Sequence, residues 1–162
     1  MQPGHAVKSM TITGAEPVFV DTIVLVHANN ADSPFQEAAR QHLQELAAGG
    51  HAMWISRQVL REYAAVISRL MNERNAFDGP AIVSDLLRFE QEFLVADDDA
   101  AVSAQLRRLI VSHAVKGKQT HDANVAATML VHGVTRLLTH NEKDFRRFVP
   151  LIEILPLVPA LL

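Results

Sequence analysis

The sequence predicts an α/β fold, a central, mostly parallel β-sheet flanked by α-helices. Three observations lead there. Short apolar runs of strand length alternate with longer segments of helical period, the pattern of a parallel sheet wrapped by its crossovers. At 162 residues, 49% hydrophobic and 20% charged, the chain suits one ordinary globular domain. The first apolar run, Val18-Phe19-Val20, leads straight into Asp21-Thr22 and so delivers a carboxylate to a strand's C-terminal end, where open α/β sheets bind ligands.

Taken in order, residues 1–16 read as a loosely attached N-terminal arm, with Met10 an alternative start. Ile23-Val24-Leu25-Val26 continues the apolar run of the first strand. After a loop at 29–34, Ser33 as cap and Pro34 at the first helical position start a helix that runs to about Ala48 and stops at Gly49-Gly50. Ala52-Met53-Trp54-Ile55 is a second strand, and Ser56 caps the next helix. There Val59, Tyr63, Val66 and Leu70 make the apolar stripe, with Glu62 at its edge. Asp78-Gly79-Pro80 leads into a helix from about Ala81 to Phe93, and Leu94-Val95 is a short strand.

Asp97-Asp98-Asp99 precedes a helix over about 100–115. Three aspartates invite a metal reading, but acids at a helix start are favoured by its dipole, and the run reads as cap and solvated surface. A helix from about Thr120 to His132 clusters Val125, Ala126 and Met129 on one face, with Asp122 near the middle of that stripe. A carboxylate so placed needs a partner, because burying an unpaired charge is costly. Val134 to Leu138 and Leu151 to Leu155 are the last strands, before an apolar tail at 157–162 that suits either an interface or packing on its own core.

Composition excludes several chemistries. There is no cysteine, hence no disulfide, thiolate zinc site or cysteine nucleophile, which fits a reducing cytoplasm. A net charge of −3 offers no global attraction for a polyanion, so binding one would need local Arg and Lys or a bound cation. No apolar run reaches the length of a membrane span, and no secretion signal opens the sequence.

Asp21, Asp122, Asn141 and Asp144 lie near the ends of strands or the starts of helices, and Glu62 follows the second strand. Each has a bland reading as cap, turn or surface residue. If the carboxylates converge, a cation is close to required: two unit charges about 5 Å apart repel by roughly 3 kcal/mol at an effective dielectric of about 20. An oxygen-only site suits Mg²⁺ or Mn²⁺, which hold phosphate oxygens and activate water. His121-Asp122 lacks other histidines at ligand spacing, and Asp21-Thr22-Ile23 lacks the second acid of a phosphatase signature.

Four stretches together carry a resemblance. Val20-Asp21-Thr22-Ile23-Val24-Leu25-Val26-His27-Ala28 resembles the opening of PIN-domain ribonucleases, especially VapC-type toxins of bacterial toxin–antitoxin pairs. Gln58-Val59-Leu60-Arg61-Glu62-Tyr63 resembles their second motif and Thr120-His121-Asp122-Ala123-Asn124-Val125 their third. Leu137-Leu138-Thr139-His140-Asn141-Glu142-Lys143-Asp144-Phe145 resembles the fourth. The likeness spans about residues 17–156 in the family's order and spacing.

It implies a three-layer PIN domain and Mg²⁺- or Mn²⁺-dependent hydrolysis of RNA phosphodiesters. By position it implies Asp21 and Asp122 as principal metal ligands, with Glu62 and Asp144 completing the acidic cluster directly or through water. Thr22 would orient a ligand or water, and Thr139 and Asn141 would support the site. It further implies a homodimer, RNA as substrate and a cognate antitoxin as partner. Ile23 departs from the pattern, standing where a small polar residue, often Asn, is common. That departure keeps a second reading in view: a catalytically weak PIN-like module that binds RNA or a protein.

Overall fold

The computed structural model of the protein describes residues 14–158, so most of the expected arm and residues 159–162 of the tail lie outside the described residues. Five strands, β1 (Val18–Val20), β2 (Met53–Ser56), β3 (Leu94–Ala96), β4 (Arg136–Thr139) and β5 (Glu153–Pro156), form one sheet in the order β3-β2-β1-β4-β5. Every adjacent pair is parallel, so the sheet is wholly rather than mostly parallel. Central β1 is buried throughout, as a parallel strand covered on both faces must be.

The crossovers carry helices α1 (Thr22–Asn29), α2 (Gln36–Ala48), α3 (Arg57–Glu73), α4 (Gly79–Glu92), α5 (Ala100–Ser112) and α6 (Gln119–Val131). A four-residue helix α7 (Glu142–Phe145) and a 3-10 turn (Arg146–Phe148) link β4 to β5. The chain steps from β1 outward to β3, then returns across the sheet to β4, beside β1. Right-handed crossovers therefore place α1–α4 on one face and α5–α6 on the other. Contacts agree: α1 packs on α2 and α3, α3 on α4, and α5 on α6. The reversal between β1 and β4 is a topological switch point, the position where such sheets open a crevice at their strand C-termini.

Several expected boundaries move. Ile23-Val24-Leu25-Val26 is not an extension of the first strand but the body of α1. Asp21 caps that helix, and buried Thr22, Val24, Leu25, Val26 and Ala28 are wrapped by sheet and helices on all sides. A short apolar run has no period to separate buried helix from buried strand. The second helix starts at Gln36, not Pro34: the Ser33 hydroxyl accepts from Phe35 N–H and pairs with His27 Nδ1, a turn that holds Pro34 and Phe35 outside the helix. On α3 the buried stripe is Val59, Tyr63 and Ile67, whereas Val66 turns toward a cleft. β4 and β5 begin at Arg136 and Glu153, two residues later than expected. Gly50 and Gly133 carry φ of 71° and 70° at the ends of α2 and α6, the left-handed conformation that stops a helix there.

The core runs along both faces of the sheet, through Phe19, Leu25, Ile55, Tyr63, Phe89, Met129, Leu137 and Leu138. Leu157 belongs to it as well, its N–H donating to the Thr139 carbonyl, so this part of the apolar tail packs on its own core. Among the described residues, no helix is long and apolar enough to cross a membrane.

Candidate active site

The site is built outward from Asp21. Its N–H donates to the Leu138 carbonyl at 3.0 Å, carrying the β1–β4 ladder one residue past the strand. Its Oδ1 accepts from the Thr22 N–H at 2.8 Å as the cap of α1, and its Oδ2 accepts from the Thr139 hydroxyl at 2.6 Å. The Asn141 N–H in turn donates to that hydroxyl at 2.9 Å, which commits the Thr139 proton to Asp21. Asp21 is only 7% exposed, and burial pushes its carboxyl up to about 6. The bonds from Thr139 and Thr22 resist that rise, while the charges of Glu62 and Asp144 add to it.

Two helices then bring acids over the switch point, one from each face of the sheet. From α3, Glu62 accepts the Thr22 hydroxyl at 3.0 Å on Oε2. From the first turn of α6, half-buried Asp122 faces the same space, and none of the hydrogen bonds among the described residues reaches its carboxylate. Burial first, then the charges of Asp144, Asp21 and Glu62, push it up to about 7; Arg147 works the other way. Asp122 thus lies in line with the buried residues Val125, Ala126 and Met129, as the periodicity indicates, but in the first turn, where the helix end leaves it half-buried.

Asp144 is exposed on α7, close enough for its charge to act on both Asp21 and Asp122. Buried Phe145 and Phe148 anchor that segment in the core and so hold Asp144 at the rim. Asn141 caps α7 without a side-chain bond and lines the cleft. Asp21, Thr22, Ile23, Val26, Glu62, Ala65, Val66, Asp122 and Asn141 enclose about 290 Å³, acidic on one wall and apolar on the other. A larger cleft of about 690 Å³ lies between α1, α2 and α4, where Arg88 pairs with Asp85 and Glu92 and Arg40 donates to the Ala28 carbonyl. The acids that share a field are in the smaller one.

A family model described as PIN domain matches residues 18–149. The chain belongs to the PIN-domain family. Among solved structures it is similar to VapBC2 from Rickettsia felis bound to a promoter DNA fragment, at 20% identity and a TM-score of 0.65, over 86% of this chain and 97% of that one. It is also similar to VapC20 from Mycobacterium tuberculosis, a sarcin-ricin loop cleaving toxin, at 24% identity and a TM-score of 0.56, over 74% and 86%. FitAcB from Neisseria gonorrhoeae matches at 19% identity and a TM-score of 0.58, over 86% and 97%. At these identities the likeness is one of fold. No curated protein matches the chain in sequence.

In this PIN domain Asp21, Thr22, Glu62, Asp122 and Asn141 meet in one cleft, with Thr139 beneath it and Asp144 at its rim. Among the described residues, no three Asp, Glu, His or Cys side chains stand close enough to hold a metal as they are. The donor set nonetheless suits a hard cation. It is all oxygen, its two raised carboxyls would gain by a neighbouring positive charge, and Mg²⁺ needs only one or two carboxylates beside its waters. Asp97-Asp98-Asp99 is surface chemistry: Asp99 caps α5 through Ala101 and Val102, and Asp97 and Asp98 pair with Arg57 and Arg61. Reasoning from the sequence missed Gln58 and Asn124, which tie α3 to α6 behind Glu62. One signal was available, because Gln58 lies four residues before Glu62 on the same helix face.

Proposed function

We propose that this PIN domain is an Mg²⁺- or Mn²⁺-dependent endoribonuclease, the toxin of a toxin–antitoxin pair. One observation carries the reading: Asp21 at the end of β1 and Asp122 in the first turn of α6 line one cleft at the switch point, with both carboxyls pushed up by burial and by the charges of Glu62 and Asp144. An acid cluster that repels itself is costly unless a cation shares it. Similar structures, among them a toxin–antitoxin complex from Klebsiella pneumoniae and a sarcin-ricin loop cleaving toxin, support the same reading. When bound, the cation supplies Lewis acidity toward a phosphodiester and a water made acidic enough to attack.

The chain's own residues do the rest. Asp21 and Asp122 are the principal ligands, and Glu62 and Asp144 act directly or through water. The Thr139 hydroxyl and Thr22 N–H hold Asp21 in one rotamer, so that its carboxylate needs no reorganisation. The Thr22 hydroxyl aligns Glu62. Arg147, near enough to stabilise the Asp122 anion, is the cation best placed to meet a phosphate at the rim. Hydrolysis breaks one P–O ester bond; water's hydroxyl goes to phosphorus and its hydrogen to the departing oxygen. Ile23, Val26 and Val66 offer the apolar wall against which the nucleotide lies.

A homodimer and a cognate antitoxin complete the proposal, as does residence in the cytoplasm. Support for a protein partner comes from Phe77, Val83 and Leu87, which expose 63%, 55% and 56% of their surface around α4. The test is cleavage of an RNA oligonucleotide, with the DNA equivalent as control, in Mg²⁺ or Mn²⁺. Asp21→Asn and Asp122→Asn should each cost roughly hundredfold or more in rate, the scale of losing one preorganised electrostatic contact. Cleavage that survives either change would sink the mechanism. A Mn²⁺-soaked crystal should give an anomalous peak between the two residues. Ile23 favours the alternative of a binding module without activity; it requires that calorimetry detect no divalent-ion binding.

A further inference from the structure

Behind the acids lies Gln58, one turn before Glu62 on α3, a buried amide 6% exposed. Its amide makes three bonds, using both donors and one acceptor site. Nε2 donates to Glu62 Oε1 at 2.7 Å and to the His121 carbonyl at 3.0 Å, and Oε1 accepts from Asn124 Nδ2 at 2.8 Å. The Asn124 amide is itself held by Asp98 Oδ2 at 3.2 Å.

These bonds reach both elements that supply acids from outside the sheet. With the Thr22 hydroxyl on Oε2 and Gln58 on Oε1, both Glu62 oxygens are gripped by neutral donors. Neutral donors fix the carboxylate's direction without cancelling its charge, and a carboxylate has about four acceptor sites, so capacity remains on each oxygen. The second bond acts on α6. Lys118 caps that helix without a side-chain bond, and its first N–H groups are tied only to the carbonyls of the preceding turn, which orient it locally but not against α3. Gln58 seizes the carbonyl of His121, the residue immediately before Asp122, and Asn124 returns the contact two residues after it.

A buried amide left without partners is costly, so this residue has a strong preference for the one arrangement that satisfies it. An apolar side chain of equal size would fill the same space between α3 and α6 without choosing a helix register. The helices would pack; the acids would not be aimed.

We propose that Gln58 is a positioning residue that sets the spacing and direction of Glu62 and Asp122 across the cleft, and so the cleft's affinity for a divalent cation. This inference rests on the nuclease reading, and its test separates the two. Two variants are compared with the parent chain: Gln58→Met, which keeps volume and loses the bonds, and Gln58→Glu, which keeps shape but turns a donor to Glu62 into a repelling acceptor. Mn²⁺ binding is measured by calorimetry without RNA, and kcat and KM for an RNA oligonucleotide at saturating Mn²⁺, with Tm recorded for each.

Loss of an outer-shell partner of this kind lowers metal affinity or activity by about 10–100-fold. Both variants should therefore bind Mn²⁺ at least tenfold more weakly and lose kcat, with KM for RNA within about twofold of the parent, and Gln58→Glu should be the worse. A merely structural role predicts the opposite split: a lower Tm with unchanged Mn²⁺ affinity and kcat in the folded fraction. That result, or parent-like values in both variants, overturns the proposal. If the parent neither binds Mn²⁺ nor cuts RNA, the nuclease reading fails and the positioning role falls with it.

Discussion

Thr139 is worth more to the site than its modest size suggests. Its hydroxyl is the donor to Asp21 Oδ2 and at the same time the acceptor of the Asn141 N–H, so its removal strands a buried carboxylate oxygen and a part-buried N–H. Thr139→Val should cost roughly 1.5–3 kcal/mol in urea denaturation, the range for a hydrogen bond to a charged group, and should lift the Asp21 carboxyl still further. A loss below about half a kcal/mol would show that the bond does not hold. Asp122 allows a second test, by pH. Its folded carboxyl sits at about 7 against an ordinary 3.8, so it takes up its proton more readily folded than unfolded. Such a group stabilises below its unfolded pKa, and that contribution is lost as pH rises through the folded value. Asp21, raised to about 6, has the same sign. Without divalent ions, scanning calorimetry should find the Tm of Asp122→Asn gaining on the parent between about pH 4 and pH 7 and levelling off above. A constant difference would contradict the raised carboxyl.

Single elements are aimed by a few deeply buried side chains. α7 has four residues and cannot be stable alone; Phe145 and Phe148, 1% and 0% exposed, are what hold it against β5 and α6. Phe145→Ala should cost about 3–5 kcal/mol by cavity formation and release Asp144 from the rim. Cleavage by the folded fraction should then fall with the loss of that charge. An unchanged rate per folded molecule would remove Asp144 from the mechanism. α1 illustrates the limit of periodicity at this scale. Its apolar residues surround the whole helix, so neither the 3.6-residue nor the 2-residue period is present to be read. Ser56 and Asp99, by contrast, cap their helices through local bonds that follow from spacing alone, and both are as the sequence indicates.

Over the whole molecule, the proposed dimer predicts a light-scattering mass near twice the 17.9 kDa of one chain. A single-chain mass would leave the exposed apolar residues of α4 to a different protein. The sequence carries the kind of fold, the positions of Asp21, Asp122 and Asp144 at element ends and of Glu62 on the helix after the second strand, and the family through four motifs in order. These are local properties: alternation of segments, caps and short strings of residues. The tertiary structure alone brings Glu62 and Asp122 over Asp21 from opposite faces of the sheet, because that depends on the chain reversing between β1 and β4. It also decided that Asn141 serves Thr139 through its backbone. Most of all it placed Gln58 between Glu62 and the first turn of α6, a contact across 63 residues of chain for which no single segment carries the pattern.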